Sequence, residues 1–148
     1  MSLADRVLAY AAAFEDAYAT DDWSKVEPFF TEDAVYETLA DAPFGGRREG
    51  RAAILAYFKQ SCDSFDRRFG SRAVELLEGP TERDGRVWFR WAATYRLADA
   101  PALRMEGEET AVFDGDRICR LEDRIPAASS GQTLAYLGAH AGKLKPQP

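Results

Sequence analysis

Asp123 and Arg90 are the residues of this 148-residue chain whose type and setting best suit them to chemistry. In RICRLEDRI, Asp123 alternates onto one strand face with Cys119, Leu121 and Ile125. A carboxylate among apolar side chains needs a partner or a function, because an unpaired charge taken out of water is costly. Arg90, in RVWFRWAATY, shares its face with Trp88 and Ala92, an equally unusual place for a charge. A buried Arg–Asp pair would hold the aspartate ionised, ready to accept a proton or a hydrogen bond. Two readings stay open: an acid–base group, or a pair that only satisfies itself or, with the register off by one residue, two solvated charges. The acidic run EGEE supplies Glu106, Glu108 and Glu109. It reads mainly as a solvated strand face, with Glu106 turned inward at the Gly107 interruption as a candidate second acid.

What the chain lacks narrows the chemistry. His140 is the only histidine and lies in the C-terminal region, where it reads as solvated. No core imidazole is available for a Ser-His-Asp or Cys-His mechanism, and a two-His metal site cannot form within one chain. Cys62 and Cys119 are far apart and read as small reduced core residues, not zinc ligands. Acid–base work falls to carboxylates, tyrosines, lysines or thiols, with no metal or cofactor expected. The net charge of −6 and the absence of a basic stripe argue against a nucleic-acid partner; RREGR at 47–51 is too short and mixed to form one. No apolar run has the length of a membrane span or the form of a signal peptide, so the expectation is a cytoplasmic protein with no membrane partner.

The elements that must position these groups follow from periodicity. Leu3, Val7, Tyr10, Phe14 and Tyr18 recur at helical steps, predicting a helix from Leu3 to about Thr20, opened by a Ser2/Asp5 capping box. Asp21 or Asp22 caps a short helix with Trp23 and Val26 that ends near Pro28. Asp33–Thr38 alternates as a strand, with Ala34, Tyr36 and Thr38 on one face. Leu39–Glu49, with Pro43 and Gly45-Gly46, reads as a loop, and Arg51–Cys62 as a second amphipathic helix. Ser71–Glu78, Arg86–Leu97, Leu103–Phe113 and Arg117–Ile125 are strand candidates. Asp84-Gly85 and Asp114-Gly115 mark hairpin turns, and Gly79-Pro80 ends the first of these strands. Both faces of 86–97 are partly apolar, which predicts a homodimer through the outer sheet face. A domain over 1–128 is then followed by a C-terminal short helix and flexible tail over 129–148, the helix starting after Ser129 or Ser130 and LKPQP disordered.

The order helix, DDW, FFTEDAVYE, GRAAILAYF and closing hairpin FDGDRICRLEDRI resembles the SnoaL-like branch of the nuclear transport factor 2-like superfamily, over roughly residues 5–126. The resemblance implies an α+β fold: a cone-shaped, curved antiparallel or mixed sheet wrapped over about three helices, enclosing a deep pocket, in proteins that are usually dimers. The superfamily spans isomerases, cyclases, hydrolases, dehydratases, adaptors and binders, so the fold does not choose the function. Its ketosteroid isomerase-like members need a tyrosine where this chain has Phe14, an aspartate base where it has Thr38, and a protonated acid near Glu106. Phenylalanine donates no hydrogen bond and threonine is no base at neutral pH, so that chemistry is not expected. Matching to limonene epoxide hydrolase-like members puts the water-activating aspartate on Asp123, the bridging arginine on Arg90, the water-positioning tyrosine on Tyr36 and the asparagine on Thr38. The proton-donating aspartate falls on Ala92 and is missing.

The resulting expectation is a pocket for a small, largely apolar organic molecule, with carboxylate acid–base chemistry of the isomerase, cyclase or hydrolase type. Asp123, Arg90, Tyr36 and Glu106 are its candidate catalytic groups. Phe14, Tyr18, Trp23, Phe29, Thr38, Tyr57, Phe58 and Trp88 are its candidate substrate-binding residues. The alternative is a non-catalytic small-molecule binding or dimerising adaptor domain.

Overall fold

Ser2 opens the first helix: its hydroxyl accepts from the Asp5 backbone N–H while the Asp5 carboxylate accepts from the Ser2 backbone N–H, so two orphan donors are satisfied at once. In a computed structural model, which describes residues 1–148, this helix is α1, Leu3–Thr20. It is followed by β1 (Phe30–Leu39), β2 (Gly46–Glu49), α2 (Arg51–Ser64), β3 (Ser71–Arg83), β4 (Arg86–Arg96), β5 (Leu103–Asp114), β6 (Arg117–Arg124) and α3 (Ala127–His140). Short 3-10 turns at Trp23–Lys25 and Glu27–Phe29 deliver the chain from α1 to β1, the first capped by Asp22.

The six strands form one mixed sheet in the order β2-β1-β6-β5-β4-β3. Only β1 and β6 run parallel; every other neighbouring pair is antiparallel. Register shifts interrupt three of the five pairings. Such irregularities bend strands and tighten their twist, which lets a sheet curl. One lies at Cys119: Phe113 pairs with Ile118 and Val112 with Arg120, leaving Cys119 as the extra residue. Ile118 and Leu121 therefore both turn into the core, and Cys119 drops out of the alternation that should have put it beside Asp123.

Two apolar clusters fill the curl. The larger joins Val7, Tyr10 and Ala17 of α1 and Ile54, Phe58 and Cys62 of α2 to Phe30, Tyr36, Val87, Ala111, Ile118 and Leu121 of the sheet. The smaller joins Tyr95, Leu103, Met105 and Ile125 to Phe69 and to Tyr136 of α3. A pocket of about 440 Å³ lies between them, with Tyr36 and Phe58 on one side and Tyr95, Met105 and Ile125 on the other.

Three segments differ from expectation. GRRE in the expected 39–49 loop forms β2, a short edge strand paired to β1; four residues are too few to show alternation clearly. β3 runs past Gly79-Pro80 to Arg83, because a register shift between Glu78 and Thr81 absorbs the break as a bend. Helix α3 begins at Ala127, ahead of the serines expected to cap it, and the chain after it is tied down. Leu144 packs on the smaller cluster, and Lys145 exchanges hydrogen bonds with Arg68 in both directions.

Candidate functional site

The β1–β6 and β5–β6 registers place Thr38, Asp123 and Glu109 side by side across three strands, with Phe89 of β4 next in line. Opposed residues on antiparallel strands have Cβ atoms about 4.5–5.5 Å apart, so Glu109 and Asp123 are near neighbours on the inner face. Asp123 accepts two hydrogen bonds: Oδ2 from the Tyr36 hydroxyl at 3.3 Å and Oδ1 from Trp91 Nε1 at 3.1 Å. Trp91 stands on β4, two strands from β6, and pairs with Gly107 of β5. A Cβ at Gly107 would lie 2.5 Å from Trp91 Cζ2. The missing side chain is what lets the indole lie flat across β5 and reach Asp123.

Burial dominates the electrostatics. It pushes the Asp123 carboxyl up to about 6, against the downward pull of the Trp91 and Tyr36 hydrogen bonds. Glu109 rises well above the usual carboxylate range, first from burial and then from the Asp123 charge beside it. Two neighbouring carboxyls in an apolar setting resist ionising together, so of the two Glu109 is the one that holds its proton more tightly. Burial also raises the Tyr36 and Tyr10 hydroxyls well above their ordinary value, so both remain neutral.

The pair stands where two cavities meet. Asp123 lines one of about 440 Å³, together with Thr38, Arg48, Tyr57 and Met105. Glu109 lines an adjoining, more apolar one of about 190 Å³, against Tyr10, Phe14 and Phe89. Tyr36, Phe58, Trp91 and Tyr95 belong to both. No group of three or more His, Cys, Asp or Glu side chains converges as a metal site requires.

The structure therefore brings together Asp123, Tyr36 and Thr38, with Phe14, Tyr57 and Phe58 on the walls. It moves the others elsewhere. Arg90 faces outward and pairs with Glu78 at 3.1 Å, so the Arg90–Asp123 pair does not form; the inward face of β4 belongs to Val87, Phe89, Trp91, Ala93 and Tyr95. Glu106 is also outward, paired with Arg104 at 3.1 Å. Gly107 makes no bend in β5, and plain alternation with Met105 and Ala111 turns Glu109 inward instead. Trp88 lies on the outer face, donating to Glu108. Tyr18 stacks beneath Arg67 and Arg72, away from the carboxyl pair. Trp23 packs behind Phe14 and Phe58 with its Nε1 donating to Asp21, and Phe29 packs on Tyr10 beneath Arg6. The signal for Glu109 and Trp91 was present as the parity of their strands; Arg48 carried none, because β2 read as loop.

A family model described as a SnoaL-like domain matches residues 11–124. Among curated proteins none matches the sequence. Similar folds occur in a provisionally assigned polyketide cyclase from Xanthomonas campestris pv. campestris (22% identity, 92% of this chain and 99% of that one, TM-score 0.60). They occur also in a provisionally assigned isomerase from Rhodopseudomonas palustris (14% identity, 88% and 96%, TM-score 0.67). A third is TerC co-crystallised with polyporic acid (12% identity, 90% and 98%, TM-score 0.67). At these identities the likeness is one of fold. With its helices inside a curled mixed sheet, and a family match spanning most of its length, the chain belongs to the SnoaL-like domain family.

Proposed function

We propose that this chain binds a small, largely apolar organic molecule in the pocket and moves a proton on it, as isomerases and cyclases do. Asp123 is the base that takes a proton from a carbon beside a carbonyl. Neutral Glu109 donates a hydrogen bond to the oxygen on which charge develops. The observation that carries this reading is the adjacent carboxyl pair at the meeting point of two cavities, the smaller walled mainly by apolar side chains and the larger by apolar and polar ones, with Asp123 held by Tyr36 and Trp91. Two acids pushed to different degrees are what proton transfer in both directions needs. The cyclase and isomerase assignments of similar folds are consistent with it.

The test is solvent exchange on an enolisable apolar ketone such as 2-tetralone, followed by proton NMR in D2O. The wild type is expected to accelerate exchange. Asp123→Asn is expected to abolish the acceleration while binding the ketone within about tenfold of wild type. Equal acceleration by the two proteins contradicts the proposal.

We propose in addition that two copies pair through the outer sheet face. Trp88 and Thr94 lie on it, among carboxylates and guanidiniums that alternate along and between strands: Glu75 with Arg104, Glu78 with Arg90, Glu108 with Arg124. Such a pattern can complement itself across a two-fold axis. A single 16.5 kDa species by sedimentation at micromolar concentration contradicts this.

A further inference from the structure

We infer that Arg48 is the anchor for an anionic group, so that the molecule the pocket takes is an apolar organic carboxylate. This rests on the reading of the pocket as a site for apolar organic molecules, and it names their charged end.

Arg48 sits in the middle of β2. Alternation sends its neighbours Arg47 and Glu49 to one side, where they pair with each other at 2.9 Å and Arg47 also approaches Glu37. Arg48 alone points inward, opposite Tyr36 in the β1–β2 register, and it lines the larger cavity. Its guanidinium lies 3.4 Å from the centre of the Tyr57 ring and 5.7 Å from that of Tyr36, and Nη1 donates to Thr38 Oγ1 at 3.3 Å. Stacking on one ring and a hydrogen bond at one edge fix the plane of the fork.

No carboxylate of the chain lies within 4.0 Å of Arg48, although most arginines here have one. Thr38 occupies one of its five N–H donors. Asp123, the register partner of Thr38, is held instead by Tyr36 and Trp91, so Arg48 is not its counter-charge. The only cation lining the larger cavity is thus oriented, half-buried and without an anion. A planar fork in that state is the complement of a carboxylate bound through two parallel hydrogen bonds. A carboxylate there leaves the apolar body of the ligand to run past Tyr36 and Trp91, which both cavities share.

The experiment is calorimetric titration of the intact protein at neutral pH with 2-naphthoate and with 2-naphthamide, which share a ring system and differ in charge. The wild type is expected to bind the acid at least tenfold more tightly than the amide. Arg48→Gln is expected to weaken the acid at least tenfold and leave the amide within twofold. Equal affinities in the wild type overturn the inference without any variant. Equal loss of both ligands in Arg48→Gln overturns it too, by making Arg48 a packing residue. Failure of both compounds to bind the wild type is a different result: it removes the apolar pocket reading and this inference with it.

Discussion

At the scale of single residues, the fold pushes two carboxyls upward, Asp123 and Glu109. A group raised in the folded state binds protons there that the unfolded chain releases. Its contribution to stability is present in full below the ordinary carboxylate range and is lost as pH rises through the folded value. For Asp123 that window runs from about 4 up to about 6, and for Glu109 it extends higher. Asn at position 123 removes the Asp123 part. In urea unfolding, the stability of Asp123→Asn relative to wild type is expected to improve between about pH 4 and about pH 8, by at most ~3 kcal/mol. A difference that stays constant over that range contradicts the burial argument. Glu109 is assigned the role of a neutral donor, so what replaces it matters. Glu109→Gln keeps an N–H donor and is expected to hold the ketone exchange rate within about tenfold, whereas Glu109→Ala is expected to lose about 10²–10³. Equal losses in the two variants would make Glu109 a proton carrier and not a donor. Asp123 was legible as an inward acid from its Leu121 and Ile125 neighbours. Its partner was not, because EGEE reads as solvent-facing unless the parity of Met105 and Ala111 is followed through Gly107.

At the scale of elements, Gly107 decides how three strands cooperate. It leaves β5 bare beneath the Trp91 indole, so a donor from β4 reaches an acceptor on β6. Gly107→Ala forces its Cβ against the ring and is expected to cost about 1–3 kcal/mol. Because the Trp91 hydrogen bond holds the Asp123 carboxyl down, losing it should send that carboxyl higher. Trp91→Phe removes the donor without crowding, and should raise Asp123 with a smaller loss of stability. Carboxyl carbon NMR through a pH titration checks both; an unmoved Asp123 in Trp91→Phe means the indole has no electrostatic role. The helices and the four later strands were legible because capping, turn dipeptides and long periodic runs are local signals. Alternation and a helical stripe show which residues share a face. Which way that face points depends on pairing partners far along the chain. For that reason the sequence alone turns Arg90 and Trp88 inward, whereas β2 with Arg48 escapes because four residues carry no clear alternation.

At the scale of the whole molecule, a second buried polar cluster ties the cone together. Arg72 of β3 donates to Asp66 at 2.9 Å and to Glu15 of α1 at 2.7 Å, and Tyr95 of β4 donates to the same Asp66 oxygen at 2.9 Å. Burial raises Asp66, with Arg72 and Tyr95 pulling it back down. Arg72→Met strands that carboxylate and is expected to cost about 3–5 kcal/mol by urea unfolding. Adding Asp66→Asn should recover part of the loss, since the penalty lies in the uncompensated charge; a double variant no more stable than Arg72→Met contradicts this. The resemblance in the order of segments anticipated the cone and its pocket, but not that the pocket floor would hold two acids in place of an acid and an arginine. The most direct measurement of that claim is the titration of the Asp123 and Glu109 carboxyl carbons by NMR in the wild-type protein. Asp123 is expected to titrate near 6 and Glu109 above it, so that the pair gives up its protons in two separate steps. Both carbons titrating in the ordinary range near 4 would mean two independent, well-solvated carboxylates, and would contradict it.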